Sequence, residues 1–135
     1  MISTFDRDME TARMRLGKRG EEIACEYLLN IGHTILERNW RHGHLETDII
    51  TLAKDGIHFV EVKSRVAPVS AAPEENVGYT KQKKLISAAR KYLHSDAKKN
   101  KINADFDVYF DIISIVFEGG KVEVKYFPQA YIPIF

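Results

Sequence analysis

The chain has 135 residues, 44% of them hydrophobic and 29% charged, with a net charge of +1. That balance excludes a disordered, collagenous or disulfide-framed chain, and the length suits one domain that buries a core without staples. No apolar run approaches the roughly 18 residues that span a bilayer, and residues 1–15 lack the apolar centre of a secretory signal, so a cytoplasmic location is the default expectation.

Residues 8–31 predict a helix, because Ala24, Tyr27, Leu28 and Ile31 recur at spacings of three and four and Gly32 ends the run. Residues 1–10 read as a poorly ordered or helical extension. The single cysteine, Cys25, reads as a packing residue. Glu21 falls on the apolar face, three residues before Ala24, whereas Glu22 stacks with Lys18 and Glu26 on the polar side. Three strands follow, at 33–40, 46–53 and 57–65, expected as a meander with Asp55 and Gly56 closing a hairpin between the last two. Residues 66–79 contain Pro68, Pro73 and Gly78 and show no period, so they form a loop.

Thr80 is the expected cap of a second helix with an apolar stripe of Leu85, Ala88, Ala89, Tyr92 and Leu93. A strand at 106–117, a turn at Gly119 and Gly120, and a strand at 122–126 complete the chain. The order predicts an α/β protein with a mixed central sheet flanked by helices. Residues 81–101 hold eight bases against the one acid Asp96, a local charge of +7. Such a run is either a solvated lysine face or a grip on phosphates.

Asp48 and the pair Glu61 and Lys63 stand in otherwise apolar segments. Alternation puts Glu46, Asp48, Ile50 and Leu52 on one face of their strand, and Ile57, Phe59, Glu61 and Lys63 on one face of the next. Two carboxylates and an ammonium then converge, and burying unpaired ions costs several kcal/mol or more unless a cation or tight ion pair relieves them. Magnesium accepts one or two carboxylates with waters completing its octahedron, so Asp48 and Glu61 are candidate ligands. Lys63, on the same face, is placed to hold an attacking water. Glu21 adds an inward acid from the helix, and Glu46 is either an outer ligand or a solvated strand end. His42, His44, Glu46 and Asp48 also alternate, but no third histidine or cysteine is spaced to complete a zinc tetrahedron.

G-K-R-G-E-E-I-A at Gly17 to Ala24, R-N-W-R at Arg38 to Arg41, E-T-D-I-I at Glu46 to Ile50, F-V-E-V-K-S-R at Phe59 to Arg65 and K-Q-K-K-L at Lys81 to Leu85 resemble the YraN-like family. Phe110 to Ile113 is similar to its late Phe-Asp motif, with Phe106 and Asp107 competing for that position, and Pro128 to Tyr131 to its terminal segment. The usual Gly-Glu-x-Asp reads Leu45-Glu46-Thr47-Asp48 here.

That bacterial family is assigned to the restriction-endonuclease-like superfamily, whose relatives include archaeal Holliday-junction resolvases. The resemblance implies an αβββαβ core and a magnesium- or manganese-dependent nuclease acting on DNA, including branched or damaged forms. It implies catalytic roles for Glu21, Asp48, Glu61 and Lys63, and a metal held by Asp48, Glu61 and the backbone of Val62. Lys81, Gln82, Lys84 and Lys91 are the expected contacts to nucleic acid. Junction-cutting relatives are dimers, so a homodimer is a further expectation. The alternatives are a nucleic-acid-binding module without turnover and a protein-interaction domain using the loop at 66–79.

Overall fold

Two helices pack on opposite faces of one five-stranded sheet in the computed structural model, which describes residues 3–69, 77–96, 98 and 106–131. Helix α1 (Thr4–Asn30) is followed by β1 (Thr34–His42), β2 (Leu45–Ala53) and β3 (Gly56–Val66). Helix α2 (Tyr79–Leu93), β4 (Val108–Glu118) and β5 (Lys121–Phe127) complete the order. The strands lie in sequence order across the sheet, with β1, β2 and β3 antiparallel, β3 and β4 parallel, and β5 antiparallel to β4. The meander and the mixed α/β class expected from the pattern are both present.

Strand alternation sorts the core into two layers. On one face Ile50, Ile57, Phe59 and Phe110 meet Ile86, Ala89 and Tyr92 of α2. On the other, Ile49, Val60, Ile113 and Ile115 meet Ala24, Cys25 and Leu28 of α1. Cys25 is buried in that layer as a packing residue, and burial pushes its thiol pKa up. No helix among the described residues is long and apolar enough to cross a membrane.

Several boundaries differ from the pattern reading. Helix α1 begins at Thr4, so the first residues extend it as helix, and β4 begins at Val108 because Phe106 and Asp107 stay outside the ladder. The β2–β3 turn consists of Lys54 and Asp55, since Ala53 pairs directly with Gly56. Gly56 belongs to the strand: its φ is 147°, and a Cβ there would lie 2.2 Å from the Asp107 carbonyl oxygen, the acceptor of the Ile57 amide. Thr80 is not the cap of α2. Gly78 takes the extended N-cap position without a side-chain bond, and the Gln82 amide donates to its carbonyl. Residues 70–76 of the expected loop, and Lys99 and Lys101 of the basic run, lie outside the described residues.

A glycine sets how closely α1 approaches the sheet. A Cβ on Gly20 would meet the Ser64 hydroxyl oxygen at 1.8 Å and the Ser64 Cβ at 3.0 Å. Glycine in a helix costs about 1 kcal/mol relative to alanine, so its use here reflects the close contact with β3. The next residue on that helix is Glu21.

Candidate active site

The β2–β3 ladder runs from Ala53 opposite Gly56 to Ile49 opposite Val60 and stops there. The next pair in register is Asp48 and Glu61. Beyond that point β2 remains paired with β1 as far as Leu45 opposite His42, and β3 remains paired with β4 as far as Val66 opposite Phe117. The two strands therefore fork, and Asp48 sits in the fork with its Oδ2 accepting the Val62 amide at 2.8 Å. A side chain has taken the place of a strand partner for that N–H.

A carboxylate in this fork is reachable from both faces of the sheet. On the α1 side a cavity of about 770 Å³ is lined by Glu21, Asp48 and Lys63, with Arg13 and Arg65 among its other residues. On the α2 side a cavity of about 270 Å³ is lined by Asp48, Glu61, Glu46, His44, Lys81 and Lys84. Asp48 belongs to both. The four expected catalytic side chains thus gather round one fork, approached by Glu21 from one face and by Glu61 from the other.

The electrostatics show acids unevenly compensated. Burial and the neighbouring Glu61 carboxylate push the Asp48 pKa up to about 8, against the opposing effect of the Val62 amide. Glu61, with its side chain 11% exposed, accepts the Lys81 ammonium at 2.8 Å. Burial disfavours charge on Lys81, but the Glu61 contact outweighs it and holds its pKa above the ordinary value. Lys63 moves the other way: burial, then the facing Lys81 amine, lowers its pKa.

This donor set fits a small divalent cation. Asp48 Oδ1 and Glu61 Oε2 are not the atoms engaged by Val62 and Lys81. Among the described residues no group of three His, Cys, Asp or Glu side chains is placed to hold a metal ion, so a cation held by Asp48 and Glu61 would draw its other ligands from waters and backbone. Magnesium and manganese accept such a site because waters and substrate oxygens fill the remaining positions.

The predicted nucleic-acid contacts divide. Lys81 and Lys84 face the acids across the smaller cavity. Gln82 instead donates through Nε2 to the Val77 carbonyl at 2.8 Å, fastening the chain ahead of α2. Lys91 is exposed in the last turn of α2 and lines neither cavity. Arg13 was missed by the sequence reading, although its place four residues before Gly17 and eight before Glu21 puts it on the same helix face.

A second polar cluster, also missed, lies toward the other end of the sheet. Asp111 is fully buried and accepts three donors: His58 Nδ1 at 2.5 Å, the Tyr126 hydroxyl at 2.5 Å and the Gln129 amide at 2.9 Å. His58 Nε2 bonds Asp55 at 2.7 Å, and its ring packs on His33, which bonds the Thr51 hydroxyl at 2.7 Å. Phe110 lies in the α2 core and Asp111 on the opposite face.

Fold and fork define a mixed α/β protein with a carboxylate and lysine cluster where two strands part. Residues 20–115 match Uncharacterised protein family UPF0102, and the chain belongs to that family, the YraN-like group its motifs resemble. It is 38% identical over 118 residues to a UPF0102 protein of Bacteroides thetaiotaomicron, covering 87% of this chain and 93% of that one. It is 40% identical over 125 residues to a UPF0102 protein of Desulforamulus reducens, covering 90% and 99%. A UPF0102 protein of Thermodesulfovibrio yellowstonii is 43% identical over 106 residues, covering 77% and 88%.

Proposed function

We propose that the protein is a magnesium- or manganese-dependent nuclease of the restriction-endonuclease-like kind, hydrolysing phosphodiester bonds of DNA, branched or damaged forms included. One observation carries this: Asp48 and Glu61 meet where β2 and β3 separate, with Lys63 beside them and cavities on both sides. Asp48 and Glu61, with the backbone of Val62, hold the cation, and Glu21 completes the acidic set from α1. A divalent ion bound there supplies Lewis-acid polarisation of the scissile phosphoryl group. Lys63 would position the attacking water. Lys81 and Lys84 hold phosphate oxygens on the α2 side. With a cation on Glu61, the Lys81 ammonium, now 2.8 Å from that carboxylate, would be available to phosphate.

The test is cleavage of junctions, flaps, nicked duplex and single strands in magnesium and in manganese. Cleavage by the parent that Lys63→Ala abolishes, with metal and DNA binding retained, is the expected result. A binding module without turnover is the second reading, favoured by the Lys81–Glu61 pair, which neutralises one acid without a metal. No cleavage of any substrate would select it, and equal cleavage by Lys63→Ala would place the activity elsewhere.

A further inference from the structure

We infer that the larger cavity receives an unpaired nucleotide adjoining the scissile phosphate, so that the substrates are DNA strands with a single-stranded segment at the cut. This rests on the phosphodiesterase reading of the fork and adds to it the class of DNA that fits. The cavity, at about 770 Å³, falls in the range of roughly 300–1,000 Å³ typical of sites that enclose a small ligand.

Its lining matches the two halves of a nucleotide. Asp48 and Lys63 belong to the acidic fork, and Arg13 adds a guanidinium group suited to a neighbouring phosphate, while the Arg65 guanidinium donates to the Ser114 hydroxyl at 3.5 Å. Leu16, Val66, Pro68 and Val69 form an apolar stretch of the wall, next to Glu21 and Ser64. Val66 and Val69 are 61% and 36% exposed, an apolar surface presented to solvent beside ionised groups. A phosphate that meets Asp48 from this side carries its own sugar and base into that volume. The base is then out of its stack, and unpairing costs free energy that an already single-stranded nucleotide does not incur.

The experiment compares a short single-stranded oligodeoxynucleotide carrying one 2-aminopurine with the same strand in a blunt duplex, in calcium, each checked intact afterwards. The single strand is expected to bind at least tenfold tighter. The 2-aminopurine should brighten, because it leaves its neighbours and no aromatic ring lines the cavity among the described residues. Val69→Asn and Arg13→Gln should each cost about tenfold in single-strand affinity, remove the brightening, and leave manganese binding unchanged. Equal affinity for single strand and duplex, or parental binding by both variants, would overturn the inference. The expected binding pattern with no cleavage in manganese would uphold the cavity's role while removing the hydrolytic reading.

Discussion

Asp111→Asn should be among the most destabilising conservative substitutions in this protein, and its effect should depend on pH. The carboxylate is fully buried and accepts from His58, Tyr126 and Gln129. An asparagine keeps one acceptor oxygen but turns an NH2 toward donors, so at least one buried donor loses its partner and His58 loses its counter-ion. Breaking one side of a buried charged pair costs about 3–5 kcal/mol. For a 135-residue chain the unfolding entropy of about 2.1 cal/mol/K per residue converts this to a Tm loss of roughly 10–18 °C.

The pH dependence follows from His58. Burial lowers its pKa, but the carboxylates of Asp111 and Asp55 outweigh that and raise it above 6.5. A histidine whose folded pKa is raised contributes stability that is complete below its unfolded pKa and is lost as pH rises through the folded value. The gap between parent and variant should therefore be widest near pH 5.5 and narrow toward pH 9. Thermal melts followed by circular dichroism at several pH values, with chelator present, measure it. A Tm loss of only a degree or two, or a gap constant across that range, would refute the assignment of a charged, fully bonded network.

Two further outcomes test the fork and the helix beside it. Calorimetry should show manganese binding that Asp48→Asn and Glu61→Gln each weaken at least tenfold, about 1.4 kcal/mol; unchanged affinity in both would remove the cation from the fork. Lys84→Ala should reduce the log–log salt dependence of DNA binding by about one unit, as expected for one lost phosphate contact. Lys91→Ala, outside both cavities, should leave that slope as it is, and the reverse ranking would move the DNA path along α2.

Much of this architecture was readable from periodicity alone. A spacing of three and four put Ala24 and Leu28 inside and Glu22 outside, and alternation put Asp48 with Ile50 and Glu61 with Phe59. What alternation cannot reveal is where pairing stops. The apolar pattern of β2 and β3 runs up to Asp48 and Glu61 without a glycine or proline to announce the fork, so access to Asp48 from both faces emerged only with the ladder. The Lys81–Glu61 contact was not legible either, because the crossover that brings Lys81 onto Glu61 spans residues with no period.

The overlooked network shows why charge in an apolar segment is an incomplete signal. His58 and Asp111 also interrupt apolar strands, and their pairing across 53 residues was no less available to the reasoning that singled out Asp48 and Glu61. Their surroundings separate them. Asp111 is surrounded by three donors from its own chain, so its burial is already compensated. Asp48 has one amide, a competing carboxylate and a pKa pushed up to about 8, so its ionised form is short of positive charge. Burial is common to both carboxylates, and it is the supply of donors that decides which calls for a ligand. The first is held as structure, whereas the second would gain from a cation, as the proposed metal site requires.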